Sequence, residues 1–131
     1  MSQIFDRPTN SWPRKFLCAG RGLVRGVKSQ RSYWVHLTAA LAVIVAAALL
    51  SANLVEWCLL VLSIVAVLAA ELFNTAIEHL ARAVTREHNE EIRDALDTSS
   101  GAVLLAAVGA AVVGTIVFAH LLGCALGYWS R

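Results

Sequence analysis

From Ser32 to Val55 the chain has no aspartate, glutamate, lysine or arginine, and from Trp57 to Ala70 it again has none. Helices that pack on the surface of a soluble domain do not lack charge for so long. About 20 such residues in a helix reach across a ~30 Å hydrocarbon layer. Cysteine is scarce as well: Cys18, Cys58 and Cys124 are odd in number and far apart, with no CxxC and no Cys/His spacing suited to a metal. That sets aside a disulfide framework and a structural zinc site. The three cysteines read instead as small apolar residues in helices. A cleavable signal peptide is not expected, because the first apolar run begins near residue 33, behind a polar segment. No internal repeat and no low-complexity linker is present, so the chain reads as one domain.

What the 131 residues do contain is 58% hydrophobic side chains, against about 45–50% apolar residues in an ordinary soluble domain. The expected fold class is all-α integral membrane. A polar tail and surface helix take residues 1–31, span one 33–52, span two with a cytoplasmic extension 55–85, a cytoplasmic loop 86–98 and span three 99–127. Pro13 suits a first helical turn. Phe16, Leu23 and Val27 then recur at helical spacing among basic residues, the pattern of an amphipathic helix lying on anionic head groups. Seven of the eleven basic residues precede span one, accompanied by one acid, Asp6. This bias places the N-terminus in the cytoplasm, and the expected location is the cell inner membrane. The basic segment is thus matched to a lipid bilayer, and no nucleic-acid partner is expected. Tyr33-Trp34, Trp57 and Tyr128-Trp129 fall where span ends meet head groups, and Ser51-Ala52-Asn53 favours a short turn. Ala102, Ala106, Ala110 and Gly114 recur every four residues, with Gly123 and Gly127 as a further small pair, which reads as a helix-packing face. Three helices are too few to enclose a polar site, so a homo-oligomer is expected.

Into the second apolar run come Glu71, Asn74, Thr75 and Glu78, within a sector of roughly 100° on one helix. An ionisable residue inside a span is unfavourable and is by default a candidate for function. If the span enters the bilayer near Trp57, Glu71 lies roughly 21 Å along it, some 9 Å inside the cytoplasmic boundary. Glu78 is a further ~10 Å along, at the interface. A partly desolvated carboxylate suits a general base or a proton-binding site. A solvated carboxylate beside an amide suits Mg²⁺, which takes one or two carboxylates plus phosphate oxygens. Together they suit phosphoryl transfer to a membrane alcohol; a hydrogen-bond network between subunits and a proton or ion path remain open on these residues alone. Asp97-Thr98-Ser99-Ser100 reads as the cap that opens span three. Among the histidines, His36 is either an interface anchor or a ligand, and His88 is a loop residue. His79 points away from the Glu face, and His120 lies at the far end of span three.

Glu71-Leu72-Phe73-Asn74-Thr75-Ala76-Ile77-Glu78 fits E-x-x-N-[ST]-[AS]-x-E. With Phe16-x-x-Ala19-x-x-Gly22, the stretch Arg31 to His36, and Asp97 followed by Ala102-Val103-Leu104, the chain resembles the prokaryotic diacylglycerol kinase family, which includes undecaprenol kinases. The resemblance runs from about Phe16 to Leu122. It implies a small, three-span, homotrimeric membrane kinase that uses ATP and Mg²⁺ to phosphorylate a membrane lipid, diacylglycerol or undecaprenol. It also implies roles. Glu71 would be the general base and a lipid-binding residue, Glu78 the Mg²⁺ and nucleotide ligand, and Asn74 a supporting group. Glu87, His88, Asn89 and Asp97 would contact nucleotide, and Ser100 would approach the lipid. The absence of G-x-x-x-x-G-K-[ST] agrees, since this family uses no P-loop. Three positions depart from the family pattern. Gln30 stands where many members have a metal-binding Glu, Leu96 where a Lys is expected, and Arg82 where an Asp is expected. Gln30 keeps an oxygen ligand for metal and nucleotide, and Arg82, one turn beyond Glu78, could supply the cation that Leu96 lacks. Arg86 is a second candidate for that cation. The same departures leave room for a catalytically weakened member acting in membrane assembly or regulation.

Overall fold

The computed structural model describes residues 11–29 and 31–129. Gln30, expected among the metal and nucleotide ligands, and the tail over residues 1–10 lie outside the described residues. The described chain is helical throughout apart from its turns: α1 (Trp12–Ser29), α2 (Arg31–Leu49), α3 (Leu54–Val84) and α4 (Glu90–Ala125). Of these, α2, α3 and α4 are long and apolar enough to cross a membrane. At ~1.5 Å per residue α3 and α4 exceed a ~30 Å hydrocarbon layer by several turns, which leaves their polar ends outside it. Large apolar side chains point outward along both helices, with Phe73 at 73% and Leu105 at 75% exposure, as spans surrounded by hydrocarbon require.

The turn between α2 and α3 is the one expected at Ser51-Ala52-Asn53. Ser51 takes a left-handed φ of 54°. Asn53 Oδ1 accepts the Glu56 N–H at 3.0 Å, while Glu56 Oε2 accepts the Asn53 N–H at 2.7 Å. This reciprocal capping box satisfies two donors that a helix start leaves open.

The start of α4 differs from expectation. The helix opens at Glu90, not in the Asp97–Ser100 cluster, and only residues 86–89 of the expected loop are non-helical. The cap is Asn89, whose Oδ1 accepts the Ile92 N–H at 3.1 Å, and Glu90 and Glu91 fill the first turn, where the helix dipole favours anions. The Asp/Ser/Thr cluster is tolerated inside the helix because Ser99 Oγ donates to Leu96 O at 2.9 Å and to a partner on α3.

The end of α4 corrects a second expectation. Gly127 adopts φ +80°, the Tyr128 N–H donates to Gly123 O at 2.9 Å, and the Trp129 ring folds onto Gly123. Gly123 and Gly127 therefore shape a C-terminal turn of the Schellman type, not a packing stripe between spans. A side chain at Gly123 would collide with the indole.

Helix α3 makes its most extensive contact with α4, a lesser one with α2, and a small one with α1, which also touches α2. Paired residues run in opposite directions along α2–α3 (His36 with Glu71, Ala47 with Leu60) and along α3–α4 (Asn74 with Ser99, Glu56 with His120), as short turns dictate. The buried apolar cluster of Ala47, Leu60, Val117 and Leu121, flanked by Trp57 and Phe118, sits at the end of the bundle that carries the α2–α3 turn. The other end is left to polar residues. There α1 meets α3 at Gly26, where an added Cβ would run into the Leu72 side chain. Gly26→Val is expected to lift α1 from α3 beside Glu71. Faster protease cleavage of α1, with the three long helices intact by circular dichroism, would show it; unchanged cleavage would contradict the contact.

Candidate functional site

Glu71, Asn74 and Thr75 are all buried on α3, and Glu78 is half-buried, so the polar sector faces inward. Glu71 is 3% exposed, yet both its oxygens are held. His36 Nε2 lies 3.0 Å from Oε1, and Ser32 Oγ donates to Oε2 at 3.2 Å. Ser32 and His36 are one turn apart on α2 and so share a face. His36, an interface anchor or a ligand on the sequence alone, is in the described structure a partner of Glu71. A buried charge needs such partners to persist.

One turn on, Asn74 joins α3 to α4. Its Nδ2 donates to Glu78 Oε1 at 3.1 Å, and its Oδ1 accepts from Ser99 Oγ at 2.7 Å. Ser100 Oγ is farther, 3.4 Å from the same oxygen, and Ser100 is exposed. Ser99, which sequence reasoning passed over in favour of Ser100, is thus the residue buried against the motif. Arg82 Nη2 lies 2.7 Å from Glu78 Oε2, the i,i+4 pairing anticipated. Thr75 Oγ1 is buried without a hydrogen-bond partner, a polar atom on the same face as the two carboxylates.

The remaining candidates gather in the α3–α4 turn. Glu87, His88 and Asn89 line a shallow pocket of about 480 Å³ together with Arg82, Arg86 and Leu96. Glu87 and His88 are exposed, and Asn89 is committed to its cap. Asp97 is exposed on α4 and does not line this pocket. Glu78 touches it through Arg82. Among the described residues no group of three acidic, His or Cys side chains is arranged to hold a metal ion alone.

Below His36, between α2, α3 and α4, runs an apolar cavity of about 350 Å³. Ala40, Val43, Val67, Ala110 and Gly114 line it, with His36 at its polar end. A Cβ on Gly114 would meet nothing within 4 Å. Ala110 and Gly114 from the small-residue stripe therefore border open space here.

Sequence reasoning missed a second carboxylate–histidine pair at the opposite end. Buried Glu56 accepts from, or pairs with, His120 Nδ1 at 2.8 Å, and the imidazole stacks on Trp129 at 5.9 Å. It ties α3 to α4 next to the apolar cluster. Glu56 is the acid, and His120 the histidine, nearest the α2–α3-turn end of α3 and α4.

The family model described as prokaryotic diacylglycerol kinase matches residues 17–118. An undecaprenol kinase of Bacillus subtilis (strain 168) is 33% identical over 109 residues, covering 83% of this chain and 89% of that protein. A diacylglycerol kinase of a Synechocystis species is 36% identical over 100 residues, covering 76% of this chain and 57% of that protein.

Proposed function

The chain belongs to the prokaryotic diacylglycerol kinase family and is a lipid kinase, and from that premise we propose that it transfers the γ-phosphoryl group of ATP to the hydroxyl of diacylglycerol or undecaprenol at the cytoplasmic face of the cell inner membrane. The products would be phosphatidic acid or undecaprenyl phosphate. The observation that carries this reading is the separation of two carboxylates on one face of α3. Glu71 is enclosed and held by α2, while Glu78 is open on the polar side.

In this reading Glu71 drives removal of the hydroxyl proton. Its environment excludes bulk water, and its orientation is set by Ser32 and His36. The lipid tail occupies the apolar cavity beneath His36, which directs the alcohol end toward the carboxylate. Glu78, with Asn74 holding its other oxygen, is the metal ligand. A single carboxylate is a suitable share for Mg²⁺, whose remaining positions go to water and phosphate oxygens. Bound there, Mg²⁺ would neutralise charge on the phosphates. Glu87, His88, Asn89 and Asp97 would contact the nucleotide from the α3–α4 turn, and Gln30 would add an oxygen ligand. Ser100, exposed near Asn74, would approach the lipid.

Arg82 takes the part that Leu96 cannot. With no cation bound it balances Glu78; with nucleotide bound its guanidinium serves phosphate oxygens, for which its planar fork is suited. The pair is partly exposed, with Arg82 at 63%, so it adds little to stability and can exchange partners. Arg82→Ala is expected to raise the apparent KM for ATP by roughly 10-fold, the worth of a charge-assisted hydrogen bond. An unchanged KM in an active preparation would refute the assignment.

The surface helix, the cytoplasmic N-terminus and a homotrimer complete the proposal. The basic residues of α1 would meet anionic head groups, and the outward apolar faces would meet lipid or sister subunits. Vesicles that contain diacylglycerol and undecaprenol in equal amounts, supplied with labelled ATP and Mg²⁺, name the substrate. Label in one phosphorylated lipid identifies it, and label in neither contradicts the proposed function.

A further inference from the structure

We propose that Thr75 is a further catalytic residue, whose hydroxyl donates a hydrogen bond to the phosphoryl group as it passes from nucleotide to lipid. The inference rests on the lipid-kinase reading above, with Glu71 as the base and Glu78 as the metal ligand. Among the described residues Thr75 Oγ1 is the one buried side-chain nitrogen or oxygen that has no hydrogen-bond partner, and Thr75 is 3% exposed. A hydroxyl inside a helix can turn back onto the carbonyl four residues earlier. Thr38 does so onto Trp34 O at 2.8 Å, Ser63 onto Leu59 O at 2.8 Å and Thr115 onto Ala111 O at 2.7 Å. Thr75 makes no such bond to Glu71 O. Leaving a buried donor unmet is unfavourable, so this one, in the middle of the polar sector, stands ready for a group that arrives with substrate.

Position along α3 says which group that is. Glu71, at the lipid hydroxyl, and Glu78, at the metal and nucleotide, lie about 10 Å apart along the helix axis. The phosphorus changes partners between those two levels. Asn74 and Thr75 are the polar residues of the sector that lie there, about 4.5 and 6 Å along from Glu71. Asn74 is committed at both ends, its Nδ2 to Glu78 Oε1 at 3.1 Å and its Oδ1 to Ser99 Oγ at 2.7 Å. Thr75 has an O–H to give. Around the helix it is about 40° from Glu71 and about 60° from Glu78, on the side that carries both. Glu71 is enclosed to the same 3%, so an approach that brings the hydroxyl to Glu71 brings the phosphoryl oxygens to Thr75. In the transfer step the lipid oxygen bonds to the γ-phosphorus as the bond from that phosphorus to the β,γ-bridging oxygen breaks. ADP departs with the electron pair, and the hydroxyl proton goes to Glu71. Charge is then spread over the three equatorial oxygens. Thr75 donates to one of them and keeps its own proton throughout, a fixed donor set where charge develops.

The test uses the full chain in lipid vesicles with labelled ATP, Mg²⁺ and whichever lipid the unaltered protein phosphorylates. Thr75→Val keeps the shape and removes the O–H. It is expected to lose ~10–100-fold in kcat, the worth of a hydrogen bond to a charged group, with KM for ATP unchanged. Its thermal unfolding midpoint without substrates is expected to equal or exceed that of the unaltered chain, because only an unsatisfied buried hydroxyl has gone. Thr75→Ser, which restores the hydroxyl, is expected to keep kcat within about 3-fold. Retention of kcat within about 3-fold in Thr75→Val overturns the inference. So does an equal loss in Thr75→Ser, which would make the methyl group the part that matters. A loss in Thr75→Val that comes with a lower unfolding midpoint, or that is confined to KM for ATP, overturns it as well. If Thr75→Val does not fold, Thr75→Ala set against Thr75→Ser decides. A kcat at least ~10-fold lower in the alanine variant supports the donor, and equal rates overturn it. Failure of the unaltered protein to label any lipid is a different result, which removes the proposed function and this inference with it.

Discussion

Replacing Glu71 by Gln is expected to lower kcat for lipid phosphorylation by ~10²–10⁴-fold while leaving the KM for ATP near its original value. The substitution keeps the volume, and the amide oxygen can still accept from Ser32 Oγ or His36. What it removes is the negative charge that a proton-accepting arrangement needs. Because Glu71 is buried against α2 and does not approach the α3–α4 turn, nucleotide binding has no reason to change. The measurement is steady-state kinetics with each substrate varied in turn, on protein whose thermal unfolding matches the unaltered chain. A fall of only a few-fold in kcat, or a loss confined to KM for ATP, would remove Glu71 from the chemistry. The variant would then point to a hydrogen-bond network that merely joins α2 to α3.

Glu78→Gln is the second large effect, and its signature differs. Glu78 Oε1 accepts from Asn74 and Oε2 pairs with Arg82. The amide can keep the first contact but cannot balance Arg82 or bind a hard cation well. The expected result is a loss of ~10²–10³-fold in kcat/KM for ATP, of the size seen when a charge-stabilising group is removed. Raising Mg²⁺ should recover part of it. Glu71→Gln should show no such recovery. A magnesium titration of both variants separates the roles: a shifted midpoint for Glu78→Gln alone agrees with the division of labour, and the same midpoint in both contradicts it.

The helices and the inward carboxylate face were legible in the sequence because each rests on local chemistry. Long charge-free runs specify spans, Ser51-Ala52-Asn53 specifies a turn, and Glu71, Asn74, Thr75 and Glu78 share a face by helical geometry. Arg82 beside Glu78 was legible for the same reason, being one turn away on the same helix. Partners on other helices were not. His36 and Ser32 meet Glu71 across a separation of 35 and 39 residues, and Ser99, not Ser100, reaches Asn74. Which of two adjacent serines faces inward depends on the rotation of α4 against α3, which packing sets and composition does not.

The start of α4 failed for another reason. Two capping signals compete there, and the Asp97–Ser100 cluster is the denser in cap-forming side chains. Asn89 prevails because Glu90 and Glu91 directly follow it and complement the helix dipole. The glycines Gly123 and Gly127 looked like packing residues because small residues serve both close helix approach and C-terminal turns. The φ of +80° at Gly127 distinguishes the two and cannot be read from spacing. The Glu56–His120 pair shows the same limit: two titratable residues 64 positions apart become neighbours only once α3 and α4 are laid antiparallel.

The central claim is phosphoryl transfer to a lipid hydroxyl that depends on the enclosed carboxylate of α3. Its most direct test is the label recovered in extracted lipid after the purified chain is incubated with γ-labelled ATP, Mg²⁺ and undecaprenol or diacylglycerol, beside Glu71→Gln at equal folded concentration. The account predicts a labelled phospholipid or polyprenyl phosphate from the unaltered chain and almost none from the variant. Equal labelling by the two proteins, or no label from the unaltered chain with either lipid, would contradict it.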